Sequence, residues 1–333
     1  MRNSKKTPLL RKEGVQMLIA SLLCILMGLF LGYVVLCFIN YRGAGNAVLM
    51  VLKNFLQANS QKMMLKKLGQ TLVKTAPLLM CSLSVLFAYK VGLFNIGAAG
   101  QYVAGAGAAL YMALAWQLPW YVCMLGAVLA GALLGAISGL LKSYCNVNEV
   151  ISCIMLNWIS LYSVNTLLTA VKDPNSPDTV ALFKGNPAAI LPNLGLPQYF
   201  GNNKYVGLGI PLAVLLAVLV WVLLNYTKLG YELRATGLNK HAAKYSGMRE
   251  HFNIVLAMAV AGGLAGMGAA VFYLTDFACW AVTQSSVPAM GFNGIAAAFL
   301  GGLNPLGTIL SSFFIQHITE GGALLTSLQV PVV

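Results

Sequence analysis

The side chains in this sequence that could recognise another molecule are amides and aromatic rings set within apolar segments. They are Asn95, Gln101, Asn157, Trp158, Phe292 and Asn293. Amide and indole groups form hydrogen bonds without carrying charge, and aromatic faces pack against flat apolar surfaces. Together they suit a neutral polar molecule with a ring-shaped apolar face, such as a nucleoside or a pyranose. The chemistry they offer is recognition rather than bond making.

The sequence lacks the common motifs of catalysis and metal binding. It contains no HExxH, no GxSxG and no phosphate-binding GxxxxGK[ST]. Its seven cysteines include no CxxC pair and mostly lie within apolar runs, where they are expected to be small core residues. We therefore expect no enzyme activity, no metal site and no cofactor. If ATP drives the protein, a separate subunit must hydrolyse it.

Composition indicates that these residues belong to an integral membrane protein. Hydrophobic residues make up 59% of the chain and charged residues 9%, with a mean hydropathy of +0.77, whereas roughly a quarter of the residues in a soluble domain are charged. The net charge of +13 comes from basic residues at the ends of apolar runs. There they face lipid head groups and cytoplasm, so membrane lipid is an expected partner and nucleic acid is not.

The predicted fold is all-α, a polytopic transmembrane helical bundle of about eight spans with glycine-rich broken segments. A basic segment, 1–14, precedes a single transmembrane domain, 15–333, and predicts a cytoplasmic N-terminus. A Pro- and Asn-rich loop, 172–204, is expected outside, where it could receive a binding protein or simply cover the helix ends. The charged segment 228–251, between two uncharged runs, is expected in the cytoplasm.

The region before the second span is harder to place. Residues 43–67 mix apolar residues and lysines at a spacing that suits an amphipathic surface helix, whose side of the membrane the charges leave open. The uncharged stretch between Lys74 and Lys90 contains Pro77 and is short for a span unless its lysines snorkel.

Two glycine-rich interruptions mark a candidate pathway through the bundle. Asn95 and Gln101 lie in the first, and Phe292 and Asn293 lie in the second. Unwound backbone at membrane depth can offer N–H and C=O groups to a substrate. Alternatively, the glycines allow close helix packing and the amides bridge neighbouring helices. Asn157 is open to the same two interpretations.

Other glycines indicate packing alone. Gly131, Gly135 and Gly139 recur every four residues, so they line one helix face and allow a second helix to approach closely. A further glycine-rich stretch occupies 262–268.

The segment 228–251 resembles the cytoplasmic coupling loop of permease subunits in ATP-binding-cassette importers, in the simple-sugar and nucleoside branch. The similar residues are ELRATGLN at 232–239 and AAKYSGM at 242–248. In that family the loop sits in a groove of the ATPase subunit, which implies mechanical coupling rather than chemistry. The residues that carry this implied role are Glu232, Arg234, Gly237, Asn239, Ala243 and Gly247.

From its residues alone, this segment predicts two short helices broken at Gly237, with Asn239 as a cap. The simpler alternative is that its charges only anchor and orient the protein.

The resemblance extends over most of residues 70–317. FNIGAAGQ at 94–101 is similar to the family signature FNIGAEGQ, NEVI and MLN within 148–157 match a second pattern, and GGLNPLG at 301–307 matches a third. One residue departs, because Ala99 stands where the family usually has Glu. Any role of that acid in substrate or ion contact therefore does not carry over.

The resemblance implies the permease subunit of an importer in the bacterial cell membrane, for nucleosides or else for simple sugars such as ribose or galactose. The implied partners are an ABC ATPase subunit, a second homologous permease subunit in a heterodimer and an extracytoplasmic solute-binding lipoprotein. Relatives usually have one more span beyond Glu320, so we expect either a truncated chain or a lost crossing.

An ion-coupled secondary transporter is the alternative from another class. Such transporters need ionisable groups at membrane depth. The candidates here, Lys74, Glu149 and Asp276, lie near predicted span ends, so this alternative is disfavoured.

Overall fold

The computed structural model describes residues 13–327, and its regular elements there are helices. Two isolated β-bridges, Lys172–Thr179 and Asp178–Ala281, are the only extended pairings in this range. In chain order the α-helices are α1 (Glu13–Asn40), α2 (Ala44–Lys53), α3 (Gln61–Tyr89), α4 (Ala98–Leu114), α5 (Trp120–Cys145), α6 (Glu149–Leu168), α7 (Leu182–Gly185), α8 (Gly209–Tyr226), α9 (Lys228–Leu238), α10 (Lys240–Tyr245), α11 (Glu250–Tyr273), α12 (Ala289–Leu300) and α13 (Pro305–Ser327).

The predicted all-helical membrane bundle is confirmed. Within residues 13–327, six helices are long and apolar enough to cross a membrane, namely those of α1, α3, α5, α6, α8 and α11. The 17-residue α4 and the 23-residue α13 are two further long helices, so the predicted count of about eight is approximate. Nearly all of the basic segment 1–14, and the chain end where a further span was expected, lie outside the described residues.

Helix α3 forms the centre of the bundle. Its most apolar stretch is 89% buried, and it packs against α8, α11, α12 and α13. The second span predicted between Lys74 and Lys90 is present but longer than expected, because α3 already begins at Gln61. Lys74 lies within α3, and its ammonium forms an ion pair with Glu320 of α13, with 2.7 Å between Nζ and Oε1. This pair compensates the charge of Lys74 within the bundle. The predicted surface helix over 43–67 is reduced to α2.

The predicted glycine packing face is confirmed at the contact between α5 and α11. A Cβ on Gly131 would overlap the carbonyl oxygen of Gly262, and a Cβ on Gly135 would overlap that of Met258. Gly139 lies further along the same face, where its Cβ would stand 3.0 Å from Val255 Cα. The two backbones therefore touch directly.

The loop 172–204 folds over one end of the bundle and contains α7. Asp276 holds it through a hydrogen bond from the Leu182 amide N–H to Oδ1, at 2.8 Å. Asn186 donates to the carbonyl oxygens of Ala113 and Leu118, at 2.9 and 3.0 Å. The single helix α8 separates this loop from segment 228–251, so the two lie at opposite ends.

Candidate functional site

The first glycine-rich break is a turn that carries the chain from α3 into α4. Asn95 in this turn donates to Ser84 Oγ at 3.0 Å and to Gln101 Oε1 at 2.8 Å, and Gln101 donates back to Asn95 Oδ1 at 3.2 Å. Asn95 is 0% exposed and Gln101 1%. Both side chains are therefore enclosed by protein in this structure. The two amides bridge neighbouring helical segments, and we call them the amide clasp.

Asn157 fixes α6 against the first turn of α4. Its Oδ1 accepts a hydrogen bond from the Gly100 amide N–H at 2.8 Å, and its Nδ2 donates to the Ile96 carbonyl oxygen at 3.1 Å. A Cβ on Gly100 would come within 2.7 Å of Asn157 Cα. Asn157 thus satisfies one N–H at the start of α4, where intrahelical partners are missing.

The second glycine-rich break brings the start of α12 against the start of α4. A Cβ on Gly291 would stand 2.5 Å from the Ala99 nitrogen and 2.8 Å from the Ala99 Cβ. A Cβ on Gly294 would likewise stand 2.9 Å from Cys81 Cβ of α3. The backbone of Gly291 closes the space beside Ala99, which is itself fully buried. This is the environment of the one residue that departs from the family signature.

The starts of α4 and α12 meet inside the bundle rather than at its end. At its other end α12 places Phe299 against Tyr89, the last residue of α3, with 5.4 Å between ring centroids. At 1.5 Å rise per residue, Gly291 lies about 12 Å further along the α12 axis. Two helix N-termini, each the positive end of a helix dipole, therefore converge inside the bundle.

The remaining predicted pathway residues are partly exposed beside this junction. Trp158, which follows Asn157, is 43% exposed, and Phe292, which follows Gly291, is 40% exposed. The Trp158 ring stacks on Tyr162, with 6.1 Å between centroids. Asn293 is partly exposed, and its side-chain amide has no hydrogen-bond partner within residues 13–327. The six predicted residues thus divide into three buried bridging amides and three groups that can contact another molecule.

Sequence reasoning missed two partners in this arrangement. Ser84 accepts from Asn95 across the turn, and Gly291 packs on Ala99 from a distant segment. Ser84 is separated from Asn95 by the end of α3, so no helical spacing pairs them. The sequence shows the glycines near position 291, but it does not indicate that Gly291 packs on Ala99.

The charged segment 228–251 forms two short helices, as predicted, but the break lies at Asn239 and not at Gly237. Asn239 Oδ1 accepts hydrogen bonds from the amide N–H groups of His241 and Ala242, at 3.0 and 3.1 Å, and so caps α10. Thr227 caps α9 in the same way through Gly230. Helix α9 continues through Gly237. The missing side chain at Gly237 allows the backbone of α9 to approach the backbone of Lys90 and Val91 closely.

The other predicted coupling residues have local structural contacts. Glu232 pairs weakly with Lys228 at 3.8 Å, and Arg234 Nε donates to the Gly230 carbonyl oxygen at 3.4 Å. Ala243 is buried, and Gly247 follows α10 with a φ of +79° that favours glycine.

The most exposed apolar groups of this segment were not singled out from the sequence. Leu238 is 89% exposed and Tyr245 is 94% exposed. They lie at the C-terminal ends of α9 and α10, on either side of the Asn239 cap. Both side chains are therefore available for contact with another protein.

The ionisable groups considered for ion coupling all have partners. Lys74 pairs with Glu320, Lys142 pairs with Glu149 at 2.7 Å, and Asp276 accepts from the loop backbone. Among the described residues, no group of three or more His, Cys, Asp and Glu could hold a metal ion.

Comparison with known proteins identifies the protein family to which this sequence is similar. Residues 67–332 match the family model described as the permease component of branched-chain amino acid transport systems. The guanosine ABC transporter permease protein NupP of Bacillus subtilis is 33% identical over 268 residues, which cover 79% of this chain and 74% of the relative. The nucleoside ABC transporter permease protein NupB of Lactococcus lactis is 31% identical over 281 residues, covering 80% and 75%.

A more distant relative differs in its substrate. The glucose ABC transporter permease protein TsgB13 of Haloferax volcanii is 28% identical over 264 residues, covering 77% of this chain and 69% of the relative. No solved structure is a significant match to the chain.

Proposed function

The chain belongs to the family of permease components of branched-chain amino acid transport systems, and on that premise we propose that it is the membrane subunit through which an ATP-binding-cassette importer takes up nucleosides. The observation that carries the substrate class is the 33% and 31% identity to permeases of guanosine and nucleoside transporters. Simple sugars are the second candidate, supported by the 28% identity to a glucose permease.

The geometry beside the α4–α12 junction supports a nucleoside. Trp158 and Phe292 offer partly exposed aromatic faces, and Asn293 offers a side-chain amide that has no hydrogen-bond partner in the part of the chain that the structure describes. A nucleobase presents a flat apolar face together with hydrogen-bonding edges, which such groups can match. Because these three groups are uncharged, they favour a neutral solute over an ion.

Uptake by proteoliposomes that contain the complete transporter tests the substrate class. We expect labelled guanosine to accumulate on addition of ATP, and unlabelled purine nucleosides to compete with it. Ribose, galactose and glucose should not compete. Competition by a sugar, without competition by nucleosides, would select the sugar transporter instead.

The proposed partners follow from the two ends of the bundle. We place segment 228–251 and the N-terminus in the cytoplasm and the loop 172–204 outside. An ATPase subunit would dock on the exposed Leu238 and Tyr245, and a solute-binding protein on the outer loop. A second, homologous permease subunit would complete the pathway, since Trp158 and Phe292 lie partly exposed on a single subunit.

The energy source provides one prediction. Dissipating the proton and sodium gradients across proteoliposomes supplied with ATP should leave the initial uptake rate essentially unchanged, because Lys74, Glu149 and Asp276 are engaged in structural contacts. Omitting ATP should abolish uptake. The reverse pattern would establish an ion-coupled transporter.

The docking surface provides another prediction. Replacing Tyr245 with alanine should weaken the copurification of the ATPase subunit, because an anchor residue of an interface contributes about 2 kcal/mol or more, roughly 30-fold in affinity. Tyr199→Ala is the matched control, since Tyr199 is 67% exposed but belongs to the outer loop. Equal copurification of the ATPase with the Tyr245 variant and wild type would remove Tyr245 from the interface.

A further inference from the structure

Gly92 and Gly237 bring two distant parts of the chain together with no side chain between them. Gly92 has a φ of +75°, and a Cβ added to it would stand 3.2 Å from the Gly237 carbonyl oxygen. A Cβ on Gly237 would overlap the Lys90 carbonyl oxygen and stand 2.9 Å from Val91 Cα. The backbone of α9 thus rests directly on the turn that follows α3. A contact between two backbones cannot yield by a change of rotamer, as a contact between side chains can.

This turn leads directly into the amide clasp. Val91 and Leu93 are buried in the core. The Leu93 amide N–H donates to the Ala88 carbonyl oxygen at 3.2 Å, which ties the turn to the end of α3. Two residues later the chain reaches Asn95, whose amide holds Gln101 in the first turn of α4. A displacement of the turn must therefore move the clasp or break it.

Helix α9 is also held by α11. Asn253 of α11 donates to Thr236 Oγ1 at 2.9 Å. Next to the glycine contact, burial and the nearby Arg234 both lower the pKa of Lys90. The two basic side chains, Lys90 and Arg234, therefore lie near each other beside this contact.

We propose that the contact between Gly92 and Gly237 carries movements of segment 228–251 to the amide clasp, and through the clasp to the start of α4 beside Trp158 and Phe292. Gly237 and Gly92 are then positioning residues for the transport pathway. This inference rests on the proposed function, because it requires an ATPase that docks on the segment.

The test compares uptake per ATP hydrolysed in the complete reconstituted transporter. In Gly237→Ala, the added methyl group forces α9 away from the turn, and we expect this ratio to fall roughly 5- to 150-fold, the usual range of a coupling between sites. Gly322→Ala is the neutral control, because a Cβ there meets nothing within 4 Å. Gly230→Ala controls for a general packing defect, since Gly230 of the same helix presses on Leu223 and Leu224 instead.

Hydrogen exchange of residues 90–97 supplies a second measurement, which reports on the turn and the clasp directly. In the wild-type complex, trapping the ATPase in its nucleotide-bound state should change the protection of these amides, and Gly237→Ala should abolish that change. Unchanged protection in wild type, or an equal loss of coupling in Gly230→Ala, would overturn the inference. If either result is found but the wild-type complex still hydrolyses ATP and transports substrate, the proposed function stands. If the protein binds no ATPase at all, the proposed function itself is overturned.

Discussion

Replacing Gly262 with leucine is expected to prevent the bundle from folding stably. A Cβ at this position would overlap the Gly131 carbonyl oxygen and stand 3.2 Å from Gly135 Cα. Both obstacles are backbone atoms of α5, so the two helices would have to separate along their whole contact. Insertion of even one or two methylene groups into a packed core costs about 1–3 kcal/mol. A leucine side chain is larger than one or two methylene groups, and the α5 backbone cannot rearrange locally to make room for it. The loss of stability should therefore exceed this range.

Size-exclusion profiles and thermal unfolding of the detergent-solubilised protein measure this effect. We expect Gly262→Leu to aggregate, and Gly262→Ala to fold with a melting temperature below that of the wild type. Gly263→Ala is the matched control, because its Cβ would stand 3.3 Å from a Val128 side-chain carbon that can move slightly. Equal stability of the two alanine variants would show that close packing of α5 on α11 is not what holds the bundle together.

This glycine contact shows what periodicity can predict. A repeat of four residues assigns Gly131, Gly135 and Gly139 to one helix face whatever the rest of the fold is. The partner helix could not be identified, because any glycine-rich helix would satisfy the same pattern. Sequence therefore predicted the face and its close contact, and the structure identified α11 as the helix that packs on it.

Gly237 shows where local reasoning failed. A glycine inside a helical pattern suggests a break, since glycine disfavours helix. Here the helix continues through Gly237, and the break lies at Asn239, whose side chain caps the next helix. The reason for the glycine is its contact with residues 90–92, about 145 positions earlier in the chain. No local pattern reports a contact of this kind.

The polar residues of the two broken segments illustrate a related limit. An amide at membrane depth must find a hydrogen-bond partner, which can be another helix or a solute. Asn95 finds Ser84 and Gln101, while the described residues offer Asn293 no partner. The two asparagines looked alike in sequence because the difference depends on which groups the fold brings within reach.

Replacing Asn95 and Asn293 with leucine should therefore affect different properties. Asn95→Leu should lower thermal stability, and Asn293→Leu should lower substrate affinity. Asn95→Leu leaves the Gln101 amide and the Ser84 hydroxyl without a buried partner, at about 1–3 kcal/mol for each unsatisfied group, so thermal stability should fall clearly. Asn293→Leu removes no hydrogen bond within residues 13–327, so stability should hardly change. If Asn293 contacts the substrate, its loss should weaken affinity by about 1–3 kcal/mol, roughly 5- to 150-fold.

Thermal unfolding of the purified protein and the KM for uptake by the reconstituted complex separate these outcomes. Asn95→Gln is an informative companion variant, because it keeps the amide but lengthens the side chain by one methylene group in a fully buried site. A fall in stability for Asn293→Leu with an unchanged KM would make Asn293 an interhelical bridge. The substrate would then have to be recognised elsewhere, with the aromatic faces of Trp158 and Phe292 as the remaining candidates, because they are partly exposed beside the α4–α12 junction.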